Sequence, residues 1–319
     1  MYNVNNTTPV IAFIIAVTGF SFLFSSCNQG GGQHYDDTPT AGTISISSDE
    51  SYKLLIDSQL YTFQSLYDRA HITVNYCSES QAIKDLINDS VRLIVISREL
   101  KEDETDYFKK IVITPRITKI AIEAIAIIVN NENIDTAFSV QHIKAMLEGQ
   151  ITNWKQLNPL SELGEMQLVF DNENSGNARL IKERLLEGRP FPKNCFAVKS
   201  NPEVIEYVNK NKNVIGIISV SWISDRDDPK VENFLKKVKV VDLSQDSTAS
   251  SEEHYKPYQA YIAQGVYPLC RNIYTISREA RAGLGTGFVS FVAGDKGQRI
   301  FLKSGLVPAT MPVRIIKVN

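Results

Sequence analysis

From position 43 onward, short runs rich in Val and Ile alternate with stretches whose apolar residues recur every three or four positions. That alternation restricts the fold to a mostly parallel sheet covered by helices, an α/β architecture. Residues 43–47 read as a first strand, followed by the cap residues Ser48, Asp49, Glu50 and Ser51. A helix with Tyr52, Leu55, Ile56, Leu60, Phe63 and Tyr67 on one face comes next. Residues 71–77 and 91–97 are the second and third strands, with a helix over about 79–88 between them. Each strand ends in polar residues that open a helix. Ligands in open α/β sheets bind beyond the carboxyl ends of the strands, so these polar turns are expected to converge. The strongest strand signal, residues 116–130, is long enough to pass from one lobe into another. Strand and helix then alternate again: helices around 140–147, 175–186 and 202–209, strands at 166–170, 213–220 and 238–243. After Tyr267-Pro268-Leu269, a strand at 270–277 and helices near 287–293 and 296–303 lead back to the first lobe. The expected organisation is one lobe from 43–125 and 266–319 and a second from 126–265, with two crossovers as a hinge.

With 319 residues, 43% hydrophobic and 22% charged, the chain can bury more than one ordinary core. Its 34 basic residues nearly balance 36 acidic ones, without long blocks of either sign, which argues against nucleic acid or a polybasic membrane surface. The first 26 residues carry no charge, and 10–24 form an apolar stretch shorter than the roughly 20 residues of a spanning helix. Such a stretch fits the core of a signal peptide. Small residues before Cys27 resemble a bacterial lipobox, in which cleavage leaves Cys27 as a lipid-bearing amino terminus. Residues 27–42, rich in Gly, Pro and polar side chains, read as a flexible tether. The expected location is extracytoplasmic, attached to a membrane by lipid alone. Cys77, Cys195 and Cys270 fit no zinc spacing, and no metal or cofactor is expected.

The second-lobe turn from Asp171 to Asn177 carries Ser175 and Gly176 at the start of an amphipathic helix. Free amides at a helix start, with a hydroxyl and a glycine that admits close approach, suit an anion, although such a turn is also an ordinary cap. In the first lobe, Ser97 and Arg98 close the third strand, where an arginine could present a charged fork to an oxyanion or simply pair with Glu99 or Glu102. Ser48-Asp49-Glu50 and Ser78-Glu79-Ser80-Gln81 stand at the other two turns, the latter matching a capping box.

Five segments together resemble the phosphate-binding proteins of ABC transporters, a branch of the type II periplasmic binding fold. They are ISSDESYKLL, SESQAIKDLINDSVRLIVISREL, FSVQHIKAMLEGQITNW, DNENSGNARLIKE and QGVYPLCRNIYTIS. The resemblance covers most of the chain from position 43. It implies a two-lobed, monomeric clamp that closes on inorganic phosphate and docks on a membrane permease. It also implies ligand contacts from Ser48, Asp49, Glu50, Glu79, Ser80, Ser97, Arg98, Asp171, Ser175, Gly176 and Asn177.

The chain departs from that pattern in specific places. Where the family carries an arginine four residues before the serine of Ser-Gly-Thr, this chain has Asp171, and Asn177 replaces the threonine. Glu79 aligns with a family serine. Some relatives have aspartate where Arg98 stands, so Arg98 and Asp171 would form the family's Arg-Asp pair with its ends exchanged between lobes. Two carboxylates beside one arginine make a poor site for a dianion, and sulfate, which has no proton to give them, is less favoured than phosphate. A binding protein for another small solute, or a sensing or scaffold lipoprotein, is the alternative. Catalysis is not expected. The four histidines are scattered without metal spacing, Gly283-Leu284-Gly285-Thr286-Gly287 lacks the Lys-Ser or Lys-Thr of a phosphate loop, and no triad stands out.

Overall fold

The computed structural model describes residues 37–246 and 253–313. The apolar leader, Cys27 and the tether as far as position 36 lie outside the described residues. Among the described residues, no helix is long and apolar enough to cross a membrane.

Strands β1 (Gly42–Asp49), β2 (Ala70–Cys77) and β3 (Leu93–Ile96) are parallel, with β1 between the other two. Helices α1 (Lys53–Leu66) and α2 (Glu79–Ile87) make the crossovers, and α3 (Glu102–Lys110) follows β3. The 15-residue β4 (Arg116–Asn130) is buried from Ile120 onward except at the half-buried Ile122, and apolar there except at Glu123 and the terminal Asn130. Beyond it come β5 (Ala137–Ser139), α4 (Val140–Leu147), β6 (Gln167–Phe170), α5 (Gly176–Leu185), β7 (Cys195–Ala197), α6 (Asn201–Lys210) and β8 (Val214–Ser219). The chain continues through α7 (Pro229–Leu235), β9 (Val238–Val240), β10 (Asp242–Ser244) and α8 (Gln259–Ala263). It closes with β11 (Cys270–Ser277), α9 (Leu284–Ala293), α10 (Asp295–Lys303) and β12 (Val307–Pro308).

The main sheet runs β2-β1-β3-β11-β4-β8-β6-β7, with β9 and β12 also on β4. This is a two-lobed α/β fold in which β4 is shared. As far as Ala124, β4 pairs antiparallel with β11; from Ile125 it pairs antiparallel with β8. At that exchange the second crossover runs alongside: Ile125 donates its N–H to the Leu269 carbonyl (2.9 Å), and the Tyr267 hydroxyl donates to the Ile125 carbonyl (2.8 Å).

Several elements differ from the sequence expectation. The run at 238–243 is two strands, because Val241 makes the last bond to β4 (N–H to the Ile127 carbonyl, 2.9 Å) and Asp242 turns to pair with β5. Helices α3, α7 and α8 and strands β5, β7 and β12 were not anticipated. The end of the expected tether, 37–42, is docked rather than loose. The Asp37 carboxylate accepts the Leu284 N–H at the start of α9 (2.5 Å) and pairs with Arg92 (3.2 Å). A side chain on Gly287 would lie 1.8 Å from the Pro39 carbonyl oxygen, so glycine there allows the segment to pack. Trp154 and Trp222 are buried core residues. Cys77, Cys195 and Cys270 are free thiols.

Candidate functional site

The carboxyl ends of β1 and β3 and the amino ends of α2, α5 and α6 meet in a buried polar cluster between the lobes. Glycine at the start of α5 makes this meeting possible. A Cβ on Gly176 would lie 2.5 Å from Ser97 Oγ, 2.9 Å from Glu79 Oε2 and 3.0 Å from Arg271 Nη1. Gly176 therefore brings a helix start, a hydroxyl, a carboxylate and a guanidinium to one point.

Each turn contributes as its local structure requires. Ser175 caps α5, its hydroxyl accepting the Ala178 N–H (3.1 Å) and donating to Asp171 (2.7 Å). The outward Gly176 N–H donates across the cleft to Asp49 Oδ2 (2.8 Å), whose other oxygen accepts the Ser51 N–H (2.9 Å). Ser78 caps α2 and leaves Glu79 facing inward, where it accepts the Ser97 N–H (2.9 Å), the Ser97 hydroxyl and the Arg179 guanidinium. Ser80 ties the rim through its N–H to the Asn174 carbonyl (3.3 Å). The Ser48 hydroxyl donates to its neighbour's carbonyl, Asp49 (3.1 Å). Glu50 accepts both the N–H (3.2 Å) and side-chain amide (2.7 Å) of Asn201 at the start of α6. Asn201 also reaches Asp171 (3.2 Å) and receives the side-chain amide of Asn177 (3.2 Å).

The pair expected between Arg98 and Asp171 is not made. Arg98 closes a two-pronged ion pair with Glu104 (2.6 and 2.7 Å), and Asp171 is held by Ser175 and Asn201. Glu104 sits in the first turn of α3 and also accepts the Lys101 N–H (2.8 Å), so it is fixed in front of Arg98. The acidic run 102–104, with Lys109 and Lys110 one helix length later, is the dipole pattern that marks this helix in the sequence.

The central cation is Arg271, on β11. It opposes Glu123 on β4 and is paired with it at 2.5 Å, both side chains almost fully buried. Its Nη2 also donates to the Asn177 side chain (2.7 Å), while Nη1 donates to Ser97 Oγ at the longer distance of 3.5 Å. Sequence reasoning singled out neither Arg271 nor Arg179. The signal was present: Arg271 falls on the same strand face as Ile273 and Thr275, and Glu123 is a lone acid in an apolar run. A charge on a core-facing strand position requires a partner.

Electrostatics divide the carboxyls. Burial, then the neighbouring Glu79, push the Asp49 carboxyl up. Burial, then Asp49, push Asp171 up to about 7, and burial raises Glu50. Burial acts the same way on Glu79, but Arg179 and the Ser97 donors outweigh it and hold that carboxyl below the usual range. Glu79 is thus an anion in an enclosed site. Two buried hydroxyls next to the cluster, on Ser51 and on Tyr52 under Arg271, have no hydrogen-bond partner among the described residues. Among those residues no group of side chains fits a metal ion. A groove of about 990 Å³ lined by Ile134, Val220, Ile223, Lys239, Lys256 and Tyr258 shares no residue with the cluster. Converging hydrogen-bond donors, rather than cavity volume, mark the site.

Residues 34–296 match the PBP superfamily domain. The sequence is 23% identical to the phosphate-binding protein PstS of Borreliella burgdorferi, over 93% of this chain and 98% of that protein. The structure is similar to that of a putative phosphate ABC transporter substrate-binding protein with bound phosphate from Clostridium perfringens, with a TM-score of 0.71, 21% identity, and coverage of 84% of this chain and 100% of that one. An ABC-type phosphate transport receptor from Vibrio cholerae is similar with a TM-score of 0.62 and 20% identity, over 84% of this chain and all of that one.

Proposed function

The chain belongs to the PBP superfamily, and we propose that it is an extracytoplasmic binding protein that captures inorganic phosphate for an ABC transporter and performs no reaction on it. Its relatives named as phosphate-binding proteins match nearly end to end. The observation that carries the reading is the set of donors at one buried point: the Gly176 N–H from one lobe, the Ser97 N–H and hydroxyl from the other, and the guanidinium groups of Arg271 and Arg179. Hydrogen-bond donors and fixed positive charge in a water-poor site are what the unprotonated oxygens of phosphate require, and the neighbouring Asp49 and Asp171 carboxyls are there to accept its remaining proton.

Lobe 1 (43–125 and 266–319) and lobe 2 (126–265) would hinge where β4 changes partners beside Tyr267. Ser97, Gly176, Asn177, Arg179 and Arg271 would hold the anion. Ser175, Asp171, Glu50 and Ser80 would shape the turns, Ser48 would support Asp49, and Arg98 would stand at the edge. The closed, monomeric clamp would present its ligand to a membrane permease, and Cys27 would carry the lipid anchor.

Calorimetric titration of the protein, stripped of bound anions by dialysis from partial denaturant, tests the assignment, with sulfate as control. Micromolar or tighter binding of phosphate and not sulfate is expected. Heats from neither anion would mean that the cleft serves another solute.

A further inference from the structure

Glu79 occupies the centre of the donor set. It is 2% exposed. Its Oε2 accepts both donors of Ser97 on its own lobe, and its Oε1 accepts Arg179 from the opposite lobe. With Asp49 on the Gly176 N–H, the donors that would serve an oxyanion at this point are held by the chain's own carboxylates. A carboxylate presents acceptor-only oxygens with the same preference for N–H, O–H and guanidinium groups as one edge of a phosphate.

We propose that Glu79 is a built-in anion that sets what this clamp accepts: its carboxylate ties the lobes together in the absence of ligand, and an oxyanion enters by displacing it. The Arg98 Nε, buried with no hydrogen-bond partner among the described residues and 3.8 Å from Glu79 Oε1, is the donor positioned to receive the displaced carboxylate. Displacement confers selectivity. A monovalent anion with one or two oxygens offers the donors nothing beyond what Glu79 already gives. A tetrahedral anion with four oxygens and a second charge can engage Ser97, Gly176, Arg179 and Arg271 together. The nature of the entering anion rests on the phosphate reading above; the tie between the lobes does not.

Small-angle X-ray scattering and phosphate titration of the parent, Glu79→Gln and Arg179→Gln separate the two. In phosphate-free buffer the parent is expected to be compact and both variants expanded, because either change removes the ion pair joining the lobes. Glu79→Gln should contract on adding phosphate and bind it at least roughly tenfold more tightly than the parent, while acetate binds neither. Both variants as compact as the parent without phosphate, or Glu79→Gln binding phosphate more weakly than the parent, would overturn the proposal. Expansion of both variants with no phosphate binding by any of the three proteins would uphold the tie and overturn the phosphate assignment. Arg179 is partly exposed on a helix surface, so its variant reports on the tie even if Glu79→Gln misfolds.

Discussion

At the scale of single residues, the cleft depends on which carboxyls are charged. Asp171 is held by Ser175 and Asn201 in full burial, with Asp49 nearby, and titrates near 7 instead of near 4. The folded state therefore binds its proton more tightly than the unfolded chain does. Between about pH 4 and 7 the unfolded chain has released that proton and the folded protein has not, so stability falls as pH rises through this window. Asp171→Asn should flatten the denaturant midpoint between pH 5 and 8 and stabilise the protein at pH 8 by a few kcal/mol at most. A parent and variant with parallel pH profiles would refute this. Arg271 depends on the opposite logic. It and Glu123 were placed face to face by strand register, and Arg271→Met would leave Glu123 buried and unpaired, at a cost of about 3–5 kcal/mol. Urea unfolding of Arg271→Met should show that loss, and the double variant Arg271→Met/Glu123→Gln should regain part of it.

At the scale of elements, α5 carries the most function per residue. Its cap, Ser175, was legible because a small hydroxyl residue before an amphipathic run is a local signal. The requirement for glycine beside it is not local, since the atoms that crowd position 176 come from β3, α2 and β11. Alanine at a helix start is itself favourable, by up to ~1 kcal/mol over glycine. Gly176→Ala should therefore leave the melting temperature nearly unchanged while weakening phosphate binding by at least about tenfold, because the added methyl keeps the lobes apart. Unaltered affinity in a titration would show that closure does not pass through this contact. Helix α3 shows the converse. It was overlooked, although its charge pattern was local, and with it went the reason that Arg98 faces Glu104.

For the whole molecule, the lobes share β4, and the two crossovers are stitched at Ile125 by Leu269 and Tyr267. Tyr267→Phe deprives a buried carbonyl of one donor and should cost about 1–3 kcal/mol, measurable as a lower denaturant midpoint, with the hinge itself loosened. Much of the strand and helix order, the long strand at 116–130 and the polar turns at 48–50, 78–81, 97–98 and 171–177 were readable from the chain, because periodicity, capping residues and turn chemistry act over a few neighbours. Partnership across the cleft was not. Which arginines would enter the buried cluster, and which would pair with Glu104 beside it, depended on strand register and helix orientation, which bring position 271 opposite 123 and position 179 opposite 79. Charge pairing in a buried site is set by distance in space, and distances between residues about a hundred or more positions apart arise only when the sheet has closed.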